Sequence, residues 1–358
     1  MNIVFALVKK WSLAVGGLEK LQRIRNVNIQ SEIIMGGITG HIEEWFTVDG
    51  YHRQNFDLGG IYKTEVIYNG KQGWILDQNG KVRELAGTEL EDERTNIYFG
   101  SYSHFFKERL PAEIEYCGED VDRKYDILKY QPHGGRPVTI YLNKDTNLPD
   151  KEEQPESERV RIIFFSDWRN TEYIKMPFSM RQTTGDPKYD IIITVKEVHF
   201  NNDLDANLFQ KPQEKSKDFR FVSGDMAMAI PFELTSNHVY IQGRVNNSQP
   251  LWFILDSGAG GTCLSLERAK ELGSEVQGKL EGRGAGEASV DVSFMKGVSL
   301  SLPGLELREQ TIACLSLTMM APYEGRMVDG ILGYDFMCRF IVEIDYCTTN
   351  ILVYGAGC

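Results

Sequence analysis

The hydrophobic pattern of the first 24 residues has the period of a helix. Val4, Leu7 and Trp11 recur at three- and four-residue spacing until the pair Gly16-Gly17 interrupts the pattern. Apolar residues at this spacing form one face of an amphipathic helix, and a glycine pair favours its end. The pattern therefore predicts one helix before the glycine pair and a second, shorter helix over Leu18 to Ile24.

From residue 25 to about residue 200 the hydrophobic period changes to two, which is typical of half-buried strands. Turn dipeptides such as Asn69-Gly70 and Asn79-Gly80 separate the apolar runs. The pattern predicts a meander of antiparallel strands, interrupted by helical residues at 88–109 and by a charged, solvated hairpin loop at 150–159. Because a one-sided sheet must bury its apolar face, we expect a mainly β fold: a strongly curved antiparallel sheet, or half-barrel, with the few helices on its concave side. The strands are predicted to begin at Val27 and to include 41–48, 60–68, 72–77, 81–85, 126–130, 138–142, 160–168, 173–181 and 189–200.

A polar stretch with Pro212 and Gly224 follows this pattern. Its composition is that of an interdomain linker, so the sequence predicts a first domain over 1–210, a linker over 211–225 and a second domain over 226–358. Strand patterns also dominate the second domain, and glycines at 282–286 are predicted to form a hairpin tip.

The composition of the chain excludes several classes of function. The chain has 358 residues, 42% of them hydrophobic, and a formal net charge of -12. This charge argues against binding to nucleic acid or to an acidic membrane surface. The cysteine and histidine spacings fit no metal site, so no metal and no cofactor is predicted. Cys338 and Cys347 could bridge two adjacent strands, although free thiols are the ordinary alternative.

No apolar stretch is long enough for a membrane span, and Met1 to Val8 is short and followed at once by Lys9-Lys10. A secretory leader has the opposite order, with basic residues before a longer apolar core. The chain is therefore expected to be either a cytoplasmic protein or a mature form without its leader.

One carboxylate stands at the end of an apolar run, in Trp252-Phe253-Ile254-Leu255-Asp256. Ser257-Gly258-Ala259-Gly260 follow it as a tight, small-residue loop. A carboxylate at the edge of a buried run is costly unless something uses it. Asp256 is therefore the leading candidate for chemistry, and an ordinary turn residue is the alternative.

This second domain resembles the retroviral-type (retropepsin-like) aspartic proteases. The resemblance rests on three features in order: the apolar run into Asp256-Ser257-Gly258-Ala259, the glycine-rich tip at 282–286, and Val328-Asp329-Gly330-Ile331-Leu332-Gly333. It implies a closed, β-barrel-like lobe. It also implies that Asp256, Ser257 and Gly258 are catalytic. The residues that would contact substrate are Ala259, Gly260 and, in the flap, Arg283, Gly284, Ala285 and Gly286.

Hydrolysis of a peptide by such a site needs two carboxylates that share one proton and activate a water. The chain contains a single Asp-Ser-Gly and no Asp-Thr-Gly. The resemblance therefore implies a homodimer, in which each copy supplies one Asp256, or else a longer chain with a second lobe. Asp335, which follows the closing glycine motif, and Asp329, which lies within it, are expected to be structural.

The first domain resembles the lipoprotein-localisation (LolA/LolB-like) domains. The shared features are a helix ending in Gly16-Gly17, a long meander, and a closing segment from His199 to Phe209. The resemblance implies a half-open barrel that holds a lipid or acyl chain, and a periplasmic or other extracytoplasmic location. The leading hypothesis is an aspartic endopeptidase for peptide or protein substrates, whose first domain binds lipid or presents substrate. The alternative is a carrier of lipid or apolar ligands with a dimerising, inactive protease-fold domain.

Overall fold

The computed structural model describes residues 3–156, 159–205, 207–214, 218–283 and 289–355. The chain forms two compact units: one holds residues 1–77 and 82–213, and the other holds residues 78–81 and 214–358. Strands predominate in both, so the mainly β class expected from the sequence is confirmed. No helix in the described ranges has both the length and the apolar character needed to cross a membrane.

In its described residues, the first unit contains a 13-stranded antiparallel sheet and three α-helices. The first and last strands of the meander, Asn26–Met35 and Ile191–Phe200, pair in the middle of this sheet. The curved antiparallel sheet was expected from the two-residue period. The helices are α1 (Ile3–Ala14), α2 (Leu18–Gln22) and α3 (Gly87–Gly100). The strands are β1 (Asn26–Met35), β2 (Ile38–Thr47), β3 (Tyr51–Leu58), β4 (Tyr62–Asn69), β5 (Gly73–Leu76), β6 (Val82–Glu84), β7 (Ala112–Glu119), β8 (Tyr125–Pro132), β9 (Val138–Asn143), β10 (Pro149–Glu156), β11 (Arg159–Asn170), β12 (Lys175–Thr183) and β13 (Ile191–Phe200). Their order in the sheet is β6-β5-β4-β3-β2-β1-β13-β12-β11-β10-β9-β8-β7.

One local prediction was wrong, because residues 150–156 belong to β10 and are not a loop. Their backbone pairs on both sides, for example Glu152 with Ile140 of β9 and with Ile163 of β11. The charged side chains are accommodated by polar contacts across the sheet, such as Tyr141 Oη donating to Glu153 at 2.9 Å. Backbone pairing satisfied on both edges outweighs the low strand propensity of these acidic residues.

The helices of the first unit pack against β7 and β8 of the sheet. Leu7 and Trp11 of α1 are buried against Tyr130 of β8 and Tyr98 of α3. Gly16 and Gly17 both have positive φ values, 128° and 93°, which end α1 and allow α2 to start in a new direction.

The second unit is organised around strands that close into a ring. Six strands follow one another, and the last pairs back onto the first through Arg244↔Ser301 and Val245↔Leu300. Its short helices are α4 (Leu266–Glu271), α5 (Ala321–Glu324) and α6 (Tyr334–Met337). The strands are β14 (Phe219–Phe221), β15 (Met226–Thr235), β16 (His238–Val245), β17 (Leu251–Leu255), β18 (Cys263–Ser265), β19 (Gln277–Arg283), β20 (Ser289–Leu302), β21 (Leu305–Leu315), β22 (Gly330–Leu332), β23 (Phe340–Asp345) and β24 (Asn350–Gly355). The ring runs in the order β20-β21-β18-β22-β17-β16 and closes between β16 and β20.

Two sequence interpretations change in this unit. β14 lies within residues 211–225, the predicted linker, and pairs with β21 as Phe219↔Leu307. Apolar side chains that can be buried explain why this part of the segment is a strand. Cys338 and Cys347 form no disulfide with each other, so the bridge considered for them is not formed.

A buried histidine links the sheet of the first unit to α3. His52 on β3 has no exposed side-chain surface, and its Nδ1 lies 2.5 Å from Glu93 Oε1 on α3. Glu44 Oε1 on β2 lies 3.8 Å from Nε2. Burial alone would lower the pKa of His52, but the negative charges of Glu93 and Glu44 outweigh it and raise the pKa to about 9.

We expect His52→Gln to destabilise the protein more at about pH 6 than at about pH 10. His52 keeps its proton up to a pKa of about 9 in the folded chain, against an ordinary value of 6.5. The stabilisation is complete below the ordinary pKa and is lost as the pH rises through the folded value. At the lower pH the loss should be about 3 kcal/mol, the usual cost of breaking a buried ion pair. Denaturant unfolding at both pH values measures it, with the exposed His41→Gln as control. An equal loss at both pH values would contradict the raised pKa.

Candidate active site

The Asp256 loop starts where β17 ends. Asp256 is half buried, and Ser257 and Gly258 are exposed. The Asp256 N–H donates to Leu332 O at 3.0 Å, and the Gly258 N–H donates to Asp256 Oδ1 at 2.8 Å. Backbone hydrogen bonds thus fix this carboxylate at the start of a tight loop, where it remains partly accessible to solvent.

A second motif, formed by β22 and Gly333, packs against the Asp256 loop. β22 runs parallel to β17, with Phe253↔Gly330 and Leu255↔Leu332 in register. Gly333 follows β22, and a Cβ on it would lie 2.5 Å from the carbonyl carbon and oxygen of Gly261. The next residue, Tyr334, donates its N–H to Ala259 O at 2.8 Å. Only glycine permits this approach. The segment around Gly333 therefore packs directly against the backbone of the Asp256 loop and fixes its position.

Asp335 fixes the far end of the same loop. Its Oδ1 accepts from the N–H and the Oγ1 of Thr262, both at 2.7 Å, and from the Phe336 N–H at 2.7 Å. Burial raises the pKa of the Asp335 carboxyl, while the Thr262 bonds and the positive charge of Arg339 act against that rise. Asp335 therefore anchors the loop by a concentrated set of hydrogen bonds.

The Asp329 side chain bonds to a different part of the lobe. Its Oδ1 pairs with Arg268 Nε at 2.6 Å, and its Oδ2 accepts from the Trp252 N–H at 2.8 Å. The side chain is 8% exposed. The structure therefore places both Asp329 and Asp335 in structural bonding networks, as the sequence suggested.

The structure brings Ala259 and Gly260 together with Asp256, since all belong to one loop. Gly260 is exposed and Ala259 is half buried. The backbone of Arg283 pairs with Ser289 at the end of the β19–β20 hairpin. The side chain of Arg283 and all of Gly284, Ala285 and Gly286 lie outside the described residues, so their contact with substrate stays a prediction.

Other candidate groups near the loop do not have the chemistry of nucleophiles. Cys263 is buried, and burial raises the pKa of its thiol to about 12, so it stays protonated at neutral pH. His238, which could have served as its base, instead lies 3.0 Å from Glu324 Oε2 through its Nδ1. The sequence interpretation missed Thr262 and Arg339, because their roles depend on contacts with residues distant in the chain.

Comparison with known proteins relates the second unit to a protease family. A family model described as aspartyl protease matches residues 241–336, which include the Asp256 loop and the Gly333 motif. The protease resemblance expected from the sequence is thereby confirmed. A retropepsin-like aspartic protease from Rickettsia conorii matches at 22% identity, covering 38% of this chain and 97% of that one, with a TM-score of 0.27. No curated protein matches the chain.

For the first unit, the matching solved structures include the family that the sequence suggested. A LolA superfamily protein from Nitrosomonas europaea matches at 13% identity, covering 54% of this chain and 96% of that one, with a TM-score of 0.40. A DUF1329 family protein from Desulfovibrio piger matches at 16% identity, covering 59% of this chain and 98% of that one, with a TM-score of 0.42.

We expect Gly333→Ala to destabilise the second unit by about 1–3 kcal/mol, the usual cost of overpacking a tight contact. The added methyl would meet backbone atoms of Gly261 and Ala259, which cannot turn aside as a side chain can. Thermal unfolding measures the loss, and amide hydrogen exchange of residues 256–262 reports the displaced loop. Gly260→Ala is the matched control, because a Cβ there meets nothing within 4 Å. Equal behaviour of the two variants would show that Gly333 does not fix the loop.

Proposed function

We propose that the second unit is the catalytic lobe of an aspartic endopeptidase that cleaves peptide or protein substrates. The observation that carries this proposal is the geometry of Asp256. Its half-buried carboxylate is held by the Gly258 N–H in an exposed loop, within the segment matched by the aspartyl-protease family model.

The reaction requires two such carboxylates at hydrogen-bond distance from one water. One carboxylate is ionised and accepts a proton from the water as it attacks the peptide carbonyl, while the protonated one donates to the carbonyl oxygen. Because like charges this close cannot both ionise, the two titrate as a coupled pair. Ser257 fits a role in bonding to the facing loop, since its side chain is exposed beside Asp256.

The second carboxylate comes from another copy of this loop. Because the sequence contains a single Asp-Ser-Gly, a homodimer with a two-fold axis beside Asp256 would supply the pair. A second lobe in a longer chain is the alternative source. Ala259 and Gly260, together with a flap formed by Arg283, Gly284, Ala285 and Gly286, would bind the substrate.

We expect Asp256→Asn to abolish peptide hydrolysis while leaving the fold intact. Asn cannot act as a base, so a dimer with one variant copy should also be inactive. After subunit exchange, an equal mixture of wild-type and variant chains should keep about a quarter of the wild-type activity, the fraction of dimers with two carboxylates under random pairing.

The mixing experiment has a matched control in Asp225→Asn, an exposed aspartate outside the loop. Mixtures with this variant should keep full activity. Half the activity in the Asp256→Asn mixture would show that each chain works alone and would refute the shared site. Hydrolysis by pure Asp256→Asn protein would refute the assignment of Asp256.

A second candidate function, for the first unit, is the binding of a lipid or other apolar ligand. Cross-strand partners lie on one face of a sheet, and Phe165, Met180, Ile193 and Ile33 form such a row. Phe165, Met180 and Ile193 are only half buried. An apolar row whose side chains stay partly exposed is suited to an acyl chain. This role would fit a periplasmic protein.

We expect Phe165→Glu to weaken the binding of a fluorescent fatty-acid probe at least about tenfold, because a carboxylate would have to be buried beside the acyl chain. Phe164→Glu is the matched control, since the neighbouring residue is equally half buried but faces the other side of the sheet. Fluorescence titration of the full chain measures both affinities. Equal weakening in the two variants, or no probe binding by the wild type, would contradict this function.

A further inference from the structure

A buried arginine connects the start of the second unit to its candidate active site. Arg339 follows α6 and is 2% exposed. Its Nε and Nη2 donate to Asp218 Oδ2 at 3.1 and 2.9 Å. Asp218 Oδ2 also accepts from Gln310 Nε2 at 3.0 Å. A guanidinium stays charged in proteins, so Asp218 supplies the counter-charge that this buried cation requires.

The same guanidinium reaches the residue that anchors the Asp256 loop. Arg339 Nη1 donates to the backbone carbonyl oxygen of Asp335. The Asp335 side chain in turn holds the N–H and hydroxyl of Thr262. A continuous set of contacts therefore runs from Asp218 through Arg339 and Asp335 to the end of the catalytic loop.

Aromatic packing holds Asp218 in place. The next residue, Phe219, packs edge-on against Phe340 with ring centroids 4.7 Å apart, and the ring centroids of Phe340 and Phe336 of α6 are 5.3 Å apart. The Asp218 carbonyl accepts from the Arg308 N–H at 2.8 Å. Asp218 is therefore fixed by the core of the unit and does not behave as part of a free linker.

We propose that Asp218 and Arg339 are positioning residues for the Asp256 loop, and that the functional lobe begins at Asp218 and not at residue 226. Only the expected effect of these two residues on peptide hydrolysis rests on the proposed function. Its effect on the loop itself can be measured without any activity.

The two charges act on Asp335 in opposite directions. Without Arg339, the buried Asp335 carboxylate loses a favourable positive charge and takes up a proton at higher pH. Without the negative charge of Asp218, more of the Arg339 charge acts on Asp335, which then stays ionised to lower pH. A protonated Asp335 holds Thr262 less well, because a neutral carboxyl is a weaker acceptor.

The test compares Arg339→Met and Asp218→Asn in the full chain. The readout is amide exchange of residues 257–265 as the pH is lowered, corrected for the intrinsic pH dependence of exchange. The midpoint at which the loop loses protection should rise by about one pH unit in Arg339→Met and fall in Asp218→Asn. The acid limb of kcat/KM should move in the same two directions. Arg220→Met and Asp225→Asn, at exposed positions, should leave both midpoints unchanged.

Arg339→Lys keeps the charge but loses the fork of donors, and it covers the case in which Arg339→Met does not fold. Its exchange midpoint should stay near that of the wild type. Midpoints that shift in the same direction in both charge-removing variants, or that do not shift, would overturn the positioning role. If the midpoints shift as expected and the wild type hydrolyses no peptide, the positioning role stands and the proposed function fails. If hydrolysis is present and the midpoints stay fixed, the positioning role alone fails.

Discussion

The close parallel contact between β17 and β22 is the constraint on which the second unit depends. Asp256 ends one of these strands, and Gly333 follows the other. Gly330 lies against Phe253 and Gly333 against Gly261, each at a distance that no side chain could occupy. Because Gly330 and Gly333 have no side chains, the Asp256 loop and the segment that follows β22 can come into direct contact. The other supports of the loop, from Thr262 to Arg339, are arranged around this contact.

Asp335 shows how a carboxylate close to a candidate active site can serve structure. Three donors converge on one of its oxygens, which offsets the cost of taking it out of water. Asp256 has a different environment, since it is half buried in a loop whose other residues are largely exposed. The contrast separates a carboxylate used as an anchor from one available for chemistry, although both lie beside the same small-residue loop.

Much of this arrangement could be predicted from local sequence. The two-residue period and turn dipeptides indicated the large antiparallel sheet, and the apolar run into Asp256 indicated the candidate site. The charged segment of β10 could not be predicted in the same way, because its strand form depends on pairing with β9 and β11. The partners of Arg339 were equally hidden, since Asp218 lies far from it in the sequence and looked like part of a polar linker.

The central position of β1 in the first sheet has a consequence for synthesis of the protein. β1 pairs with β2 at once, but its other edge waits for β13, so that Val27 meets Phe200 only when nearly the whole unit has been made. Until then β1 presents an unpaired edge, which is a template for wrong pairing with other chains. Such non-local pairing also slows folding. The unpaired edge of β1 is therefore exposed to aggregation until β13 has left the ribosome.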